Sequence, residues 1–217
     1  MKRDYGLFIK DILFEKIGAK EIFVGENFRF GRNAGADANT LKSLAPLYNY
    51  RVKVFSIIRI GNKTVSSTYI RSLIKKGKLY LAGNLLARPV SILGTVISGM
   101  RVGRRLGFPT ANIEAHHEVI PPKGIYAVEV IVKGNKFYGT CYIGSRPTFT
   151  PQSKKVRVEV NIFNLNKSIY GDFLELQFIK KIRKDKRFNS ASLLAKQIER
   201  DTLKTKRLFS LPKVLPQ

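Results

Sequence analysis

The chain of 217 residues is 44% hydrophobic and 25% charged, which fits one medium-sized folded domain or two small ones. Its 40 Lys and Arg residues against 15 Asp and Glu residues give a net charge of +25. Such a surface attracts anions, either nucleic acid or small phosphorylated ligands. The alternative is that the protein simply uses many lysines, whose charges lie on solvated faces. No apolar run approaches the ~18 residues of a membrane span, and the first residues lack a signal-peptide core. Cys141 has no partner within the chain for a disulfide. A cytoplasmic protein is therefore expected.

The first part of the chain alternates predicted helices and strands, which is typical of a parallel α/β sheet. Apolar residues at helical spacing predict a first helix that stops at Gly18, and Asp37 is the predicted N-cap of the second. The predicted helices run over 4–17, 37–45, 66–75 and 78–86, and the predicted strands run over 21–24 and 51–57.

After Arg88-Pro89 the pattern changes to short strands without intervening helices, which indicates a small antiparallel barrel or sandwich. The predicted strands run over 90–97, 125–132, 136–143, 156–163 and 173–182. Gly134-Asn135 is the predicted two-residue hairpin turn between the second and third of these strands, and Ser190 is the predicted N-cap of a last helix. The change in pattern divides the chain near residues 87–89, into domains 1–87 and 88–207.

The densest motif is a glycine-rich segment over residues 99–112. Its three glycines allow the backbone to bend and to approach a ligand closely, and backbone N–H groups exposed in such a loop bind phosphate oxygens. Thr110 and Asn112 are two residues apart, so on an extended segment both side chains point to one side and their oxygens can share a Mg²⁺ ion. The same glycines would also suit a barrel corner whose arginines, Arg101, Arg104 and Arg105, face solvent.

The strand predicted over 156–163 has an apolar face and a polar face. Val158 and Val160 alternate with Arg157, Glu159 and Asn161, so Glu159 lies on the polar side. Two roles are open for this carboxylate: an acid–base group in a site, or a surface glutamate paired with Arg157 or Asn161.

The segment Gly103–Asn112 resembles the signature of riboflavin kinases, whose PTAN motif holds Mg-ATP. Further matches follow in the same order along the chain. They are Arg88-Pro89, Gly94-Thr95-Val96, Gly124–Ala127, Ile143–Phe149, Val158–Phe163, Ile169-Tyr170-Gly171, Ile182-Arg183, Lys186-Arg187-Phe188, Ile198 and Asp201. Tyr142 departs from the family, which usually has asparagine before Ile-Gly. The resemblance implies a small antiparallel split β-barrel with a C-terminal helix.

This resemblance also implies a transferase that makes FMN from riboflavin and ATP with Mg²⁺, in flavin cofactor biosynthesis. It implies that Glu159 is the general base, that Thr110 and Asn112 hold the metal, and that Arg183 and Phe188 contact the flavin. The ATP- and phosphate-binding residues that it implies are Gly99, Gly103, Arg104, Gly107, Pro109, Thr110 and Asn112. Packing is the alternative role for Phe188.

The first half resembles FMN adenylyltransferase domains in two segments, Val24–Gly31 and Ser66–Arg71. In that family the second segment contacts ATP phosphates at a helix start, through Ser66, Ser67, Thr68 and Arg71 here. Asn27 replaces the usual aspartate. The family stabilises the transferring phosphate with a pair of histidines. The first half contains no such pair, because the only histidines of this sequence are the adjacent His116-His117. The chain thus resembles a bacterial bifunctional riboflavin kinase/FAD synthetase with a shortened Rossmann-like α/β remnant, and we expect adenylyl transfer to be absent.

Two other interpretations stay open. The chain could be a functional bifunctional synthetase whose missing nucleotidyltransferase segment comes from a separate fragment or was lost through an incorrect start. Alternatively, it could be a decayed gene product that binds nucleic acid through its charge and has no activity. The presence of Thr110, Asn112 and Glu159 together favours the enzyme, and the sequence has no zinc-finger or RNP-type motif for specific nucleic-acid binding.

Overall fold

The computed structural model describes residues 4–99, 103, 107–116, 118–145 and 156–210. Contacts divide the chain into two compact units, Met1–Ser66 and Ser67–Gln217. Within the described ranges, no helix is both long enough and apolar enough to cross a membrane.

The first unit is a small α/β structure built on two parallel strands. Strand β1 (Glu21–Gly25) pairs with β4 (Arg51–Phe55), which confirms the predicted parallel pairing. Its other elements are α1 (Tyr5–Leu7), a π-helical segment (Phe8–Lys16), β2 (Arg29–Phe30), a 3₁₀ turn (Arg32–Ala34), β3 (Ala36–Asp37), α2 (Ala38–Tyr48), β5 (Arg59–Ile60) and β6 (Lys63–Thr64).

Two helices were predicted in this unit, and both regions are helical in the structure. Asp37 caps α2 by accepting hydrogen bonds from the backbone N–H groups of Asn39 and Thr40, as predicted, and the Thr40 hydroxyl accepts from the Asp37 N–H. The predicted first helix is present, but most of it is π-helical rather than α-helical. Ile9 is fully buried in the core of this unit, and Phe8 and Leu13 pack against that core.

The second unit is a closed antiparallel barrel of six strands. Helices α3 (Ser67–Lys75) and α4 (Leu79–Leu86) precede it. Its strands are β7 (Ser91–Ile97), β8 (Ala111–Ala115), β9 (Gly124–Val132), β10 (Asn135–Ser145), β11 (Val156–Ile162) and β12 (Phe173–Arg183), and α5 (Ala191–Ser210) follows. Around the ring their order is β10-β11-β8-β7-β12-β9.

The barrel and its C-terminal helix confirm the expected mixed fold, with three differences of detail. The ring closes rather than staying split, because β9 pairs with both β10 and β12. Strand β8 was not predicted, since the motif that contains it has the composition of a loop. The hairpin turn lies one residue earlier than predicted: Asn135 pairs with Val132, and the turn residues are Lys133 (φ 49°) and Gly134 (φ 75°).

Alternation along the strands fills the barrel interior with apolar side chains. Fully buried examples are Val128, Val130, Ile143, Val160 and Leu176. Leu73, Ile74 and Ala82 of α3 and α4 belong to the same core, which is why this compact unit begins at Ser67 rather than near residue 87. The division into functional domains 1–87 and 88–207 stays a prediction.

A buried carboxylate attaches α5 to the barrel. Asp201 is 3% exposed and receives hydrogen bonds from Arg183 Nε (2.9 Å to Oδ2) and from Gln197 Nε2 (2.9 Å to Oδ1). Arg183 Nη2 lies 2.8 Å from Asp201 Oδ2 and completes a two-point ion pair. The predicted cap is confirmed, since Ser190 Oγ accepts from the Leu193 N–H at 3.2 Å. Helix α5 is therefore held at its start and in its middle.

Asp201→Asn should destabilise the second unit by about 3 kcal/mol, because it leaves the Arg183 guanidinium mostly covered and without its counter-ion. Urea unfolding followed by circular dichroism measures this change. The matched control is Asp172→Asn, which removes the Lys133–Asp172 pair (2.9 Å), whose lysine is 68% exposed. The control should cost less than about 1 kcal/mol. Equal losses for the two variants would contradict the anchoring role of Asp201.

Cys141 should be unreactive in the folded protein. Its side chain is completely buried in β10, and burial raises the pKa of the thiol well above its usual value, with a smaller contribution from the Glu159 carboxylate. A thiol with a raised pKa stays protonated at pH 8, and the protonated form is a poor nucleophile. Ellman's reagent should label the chain only after denaturation, whereas rapid labelling of the native protein would show that β10 opens.

Candidate active site on the outer face of the barrel

Strand register brings three polar side chains into one row on the outside of the barrel. Glu159 of β11 lies directly opposite Asn112 of β8 on one side and opposite Tyr142 of β10 on the other. Its strand neighbours Val158 and Val160 are buried in the interior, so Glu159 points outward. This side chain is nevertheless only 18% exposed. The polar side of β11 that the sequence predicts is therefore partly shielded from solvent at Glu159.

Each oxygen of the Glu159 carboxylate has its own partner. Arg157 Nη1 lies 2.7 Å from Oε1, and the Thr110 hydroxyl donates to Oε2 at a longer distance of 3.4 Å. The ion pair with Arg157 that the sequence left open is thus present. The second oxygen faces the predicted metal-binding residue, so catalysis and pairing with Arg157 are compatible.

The glycine-rich segment packs closely around Thr110 and Asn112. A methyl group added at Gly99 would overlap the Asn112 amide, and one added at Gly103 would overlap the carbonyl oxygen of Phe108. The Phe108 N–H donates to the Gly103 carbonyl at 2.8 Å, which closes this part of the loop. Gly103 therefore needs glycine for the close approach to the Phe108 carbonyl, whereas a side chain at residue 99 would displace the Asn112 amide.

One further contact and one glycine conformation define the loop. Asn161 Nδ2 donates to the Pro109 carbonyl at 2.6 Å and ties the Pro-Thr segment to β11. Gly107 has φ 84°, a conformation that residues with a Cβ rarely adopt. Arg104, predicted to bind phosphate, lies outside the described residues, as do Arg101 and Arg105. The described part of the motif is therefore folded against the strand that carries Glu159.

The donor set beside Glu159 suits a hard cation that is shared with a ligand. A hydroxyl, a side-chain amide and a carboxylate are oxygen donors of the kind that Mg²⁺ prefers. In the described ranges, no group of three or more His, Cys, Asp or Glu residues is arranged to hold a metal ion by itself. Thr110 and Asn112 therefore have the donor chemistry to hold a Mg²⁺ ion that would take its remaining oxygen ligands from outside the chain.

A cavity of about 500 Å³ opens beside Thr110. Its walls come from the loop before β8, from β11 and from residues 165–170, and they include Thr110, Val160, Ile162 and Tyr170. It is the size of a small-molecule site. The sequence did not predict a wall at residues 165–170, although the Ile169-Tyr170-Gly171 match to the family was the signal that could have indicated it.

The two predicted flavin contacts lie near a second cavity. This cavity, of about 290 Å³, is lined by Phe188 and Leu193 together with Lys186, Arg187, Asn189, Lys196, Gln197 and Arg200. Arg183 has its guanidinium carbon 5.7 Å from the centre of the Phe188 ring, but most of its donors are used by Asp201 and by the Lys184 carbonyl. Arg183 is thus bound within the protein, and direct contacts of Arg183 and Phe188 with a flavin stay predictions.

Residues predicted from the adenylyltransferase resemblance lie at two element ends. Asn27 is exposed in the turn after β1, and Ser66 immediately precedes α3. Ser67, Thr68 and Arg71 are exposed in the first turns of α3, where the backbone N–H groups of a helix start can bind phosphate. Their role stays a prediction.

Comparison with known proteins gives a consistent result for both halves of the chain. A family model described as riboflavin kinase matches residues 86–209, and one described as FAD synthetase matches residues 1–69. The bifunctional riboflavin kinase/FMN adenylyltransferase of Buchnera aphidicola subsp. Schizaphis graminum is 39% identical over 206 residues, which cover 94% of this chain and 66% of that protein. The protein of the same description from Escherichia coli K12 is 36% identical over 207 residues, which cover 95% of this chain and 66% of that one.

A crystal structure described as a macrolide-efflux protein from Streptococcus pneumoniae is also similar. It superposes with a TM-score of 0.74 at 29% identity, over 94% of this chain and 66% of that one. The chain thus spans 66% of the length of the curated relatives named above.

Gly99→Ala should weaken binding of Mg-ADP by about tenfold, because the added methyl group displaces the Asn112 amide from the position next to Glu159. Calorimetric titration of the nucleotide, with and without Mg²⁺, measures the change. We expect the loss to be larger with Mg²⁺ than without it. Unchanged affinity in a folded variant would show that Asn112 does not contribute to the nucleotide site.

Proposed function

Because the chain belongs to the riboflavin kinase family, we propose that it transfers the γ-phosphoryl group of ATP to the 5′-hydroxyl of riboflavin, giving FMN and ADP. The observation that carries this proposal is that the pairing of β8 with β11 brings Glu159 next to Thr110 and Asn112, although Glu159 is distant from these two residues in sequence. Family membership also favours an enzyme over a nucleic-acid-binding protein without activity.

Glu159 would accept the proton of the attacking hydroxyl. The 5′-oxygen of riboflavin forms a bond to the γ-phosphorus, the bond from that phosphorus to the β–γ bridging oxygen breaks, and ADP leaves with the electron pair. The hydroxyl proton passes to the carboxylate, for which Oε2 is the better placed oxygen because Oε1 is bound by Arg157. Positioning and charge neutralisation supply most of the remaining rate.

The surrounding features support binding of ATP with Mg²⁺ at this place. A Mg²⁺ ion held by Thr110 and Asn112 would neutralise charge on the phosphates. The cavity of about 500 Å³ that includes Thr110 in its wall has room for the nucleotide beyond its phosphates. The flavin would approach from the side of Phe188, where α5 and the segment after β12 line the second cavity. The single buried cysteine suits a reducing compartment, and a cytoplasmic reaction is part of the proposal.

A second candidate activity is adenylylation of FMN to FAD. It is favoured by the FAD synthetase match over residues 1–69 and by the exposed Ser67, Thr68 and Arg71 at the start of α3. It would be an additional activity, since the residues of the kinase site lie in the barrel. Incubation of the purified chain with FMN, ATP and Mg²⁺ tests it directly: FAD on the chromatogram supports this activity, and its absence limits the chain to phosphorylation.

Glu159→Gln should lower kcat for FMN formation by about 10²- to 10⁴-fold, because the amide cannot accept the hydroxyl proton. Riboflavin, ATP and Mg²⁺ are incubated with each variant, and FMN is quantified by chromatography with fluorescence detection. Glu114→Gln is the matched control, since Glu114 lies on the exposed side of β8 two residues beyond Asn112. Its kcat should stay within about twofold.

Two results would contradict the proposal. One is a folded wild-type chain that makes no FMN from riboflavin with Mg-ATP. The other is a Glu159→Gln variant that turns over as fast as the Glu114→Gln control. The first result would show that the chain is not a riboflavin kinase, and the second would show only that Glu159 is not the general base.

A further inference from the structure

We infer that Arg157 is a positioning residue for the phosphoryl transfer proposed above: its guanidinium holds one oxygen of Glu159 so that the other is presented to the substrate hydroxyl. The inference rests on the proposed function, because it assigns a role within that reaction. Among the described residues, Arg157 makes its ion pair with Glu159, and it is Glu159 that contacts Thr110, so Arg157 would act through Glu159.

The geometry of the pair supports this role. Arg157 and Glu159 are two residues apart on β11, so both side chains lie on the outer face of the barrel, and their closest atoms are 2.7 Å apart. Their side chains are only 27% and 18% exposed, whereas the Arg51–Glu21 pair is 82% and 37% exposed. Because solvent screens a covered pair less, the contact restrains the carboxylate more than an ordinary surface ion pair does.

Tyr142 of the neighbouring strand lies on the same face of the barrel as Arg157. Arg157 lies opposite Gly144 of β10, and a Cβ at Gly144 would overlap the ring and hydroxyl of Tyr142. The Tyr142 ring therefore covers the position that a side chain at residue 144 would take. Its hydroxyl donates to Asp185 Oδ2 at 3.4 Å, and burial raises the pKa of Tyr142, so the phenol stays protonated and able to donate. With this side occupied, the guanidinium extends along β11 toward Glu159.

The orientation of Glu159 matters because its terminal torsion is soft. Rotation about the last bond of a glutamate has broad minima, so a carboxylate without a partner on one oxygen samples many directions. A general base must lie within hydrogen-bond distance of the proton it removes, and a displacement of about 1 Å at such a group can cost about 100-fold in rate. By holding Oε1, Arg157 leaves Oε2 on the side of Thr110.

A double-mutant cycle tests the inference. Arg157→Met keeps an unbranched apolar stem and removes the charge, and we expect it to lower kcat about 10- to 100-fold, with KM for ATP and riboflavin within about threefold. In the Glu159→Gln background the same substitution should have almost no further effect, because the group it positions is already lost. Arg157→Lys should recover part of kcat. Arg51→Met, in the exposed pair with Glu21, is the control and should leave kcat unchanged.

Each other outcome decides against the inference. If Arg157→Met and Glu159→Gln lower kcat independently, Arg157 acts on the substrate or the nucleotide rather than through Glu159. If Arg157→Met keeps wild-type kcat, or changes only KM, the pair is structural. Melting temperatures of all variants separate these results from unfolding. A wild-type chain without kinase activity would overturn the proposed function itself, whereas an active wild type with a normal Arg157→Met variant would overturn only this inference.

Discussion

The pairing of β11 with β8 and β10 is the constraint on which the rest of the site depends. It sets Glu159 between Asn112 and Tyr142 on the outside of the barrel, while the valines on either side of Glu159 fill the interior. A shift of one residue would turn the carboxylate into the apolar core and expose the valines, so the hydrophobic pattern of β11 fixes the position of its functional group. The same burial that stabilises the barrel thus places the proposed catalytic residue.

The glycine-rich segment adds a second constraint on the other side of the carboxylate. Gly103 permits a close contact with the Phe108 carbonyl, and Gly99 leaves room for the Asn112 amide. Asn161 binds the Pro109 carbonyl, so Thr110 is held near Glu159. Both strands and loop therefore position oxygen donors at one place. The net charge of the whole chain, +25, would also help, because a basic protein attracts a polyphosphate before short-range contacts form.

The sequence allowed much of the barrel to be predicted, because alternation of apolar and polar residues shows directly in strands such as Val156–Ile162. Strand β8 was missed, since Pro109 and the glycines before it indicate a loop, and its pairing with β11 and β7 depends on the closed ring. The π-helical segment and the turn at Lys133-Gly134 also differ from prediction, because small changes in backbone geometry leave little trace in composition.

The site was predictable only in part. The motif and the family resemblance indicated Thr110, Asn112 and Glu159, and the structure brings these three together. Which oxygen of Glu159 binds Arg157, and how Tyr142 lies across Gly144, depend on three-dimensional packing that one sequence does not encode in a local pattern. The wall at residues 165–170 likewise reaches the cavity only through the tertiary fold.

A crystal structure of the chain with ADP, Mn²⁺ in place of Mg²⁺, and riboflavin would show whether Thr110, Asn112 and Glu159 form the phosphoryl-transfer site. We expect anomalous scattering from a metal ion bound by the side-chain oxygens of Thr110 and Asn112, with the ADP phosphates on the same ion. We also expect the riboflavin 5′-hydroxyl within hydrogen-bond distance of Glu159 Oε2. A nucleotide bound in the cavity of Lys186, Phe188 and Arg200, with no metal at Thr110, would contradict this assignment.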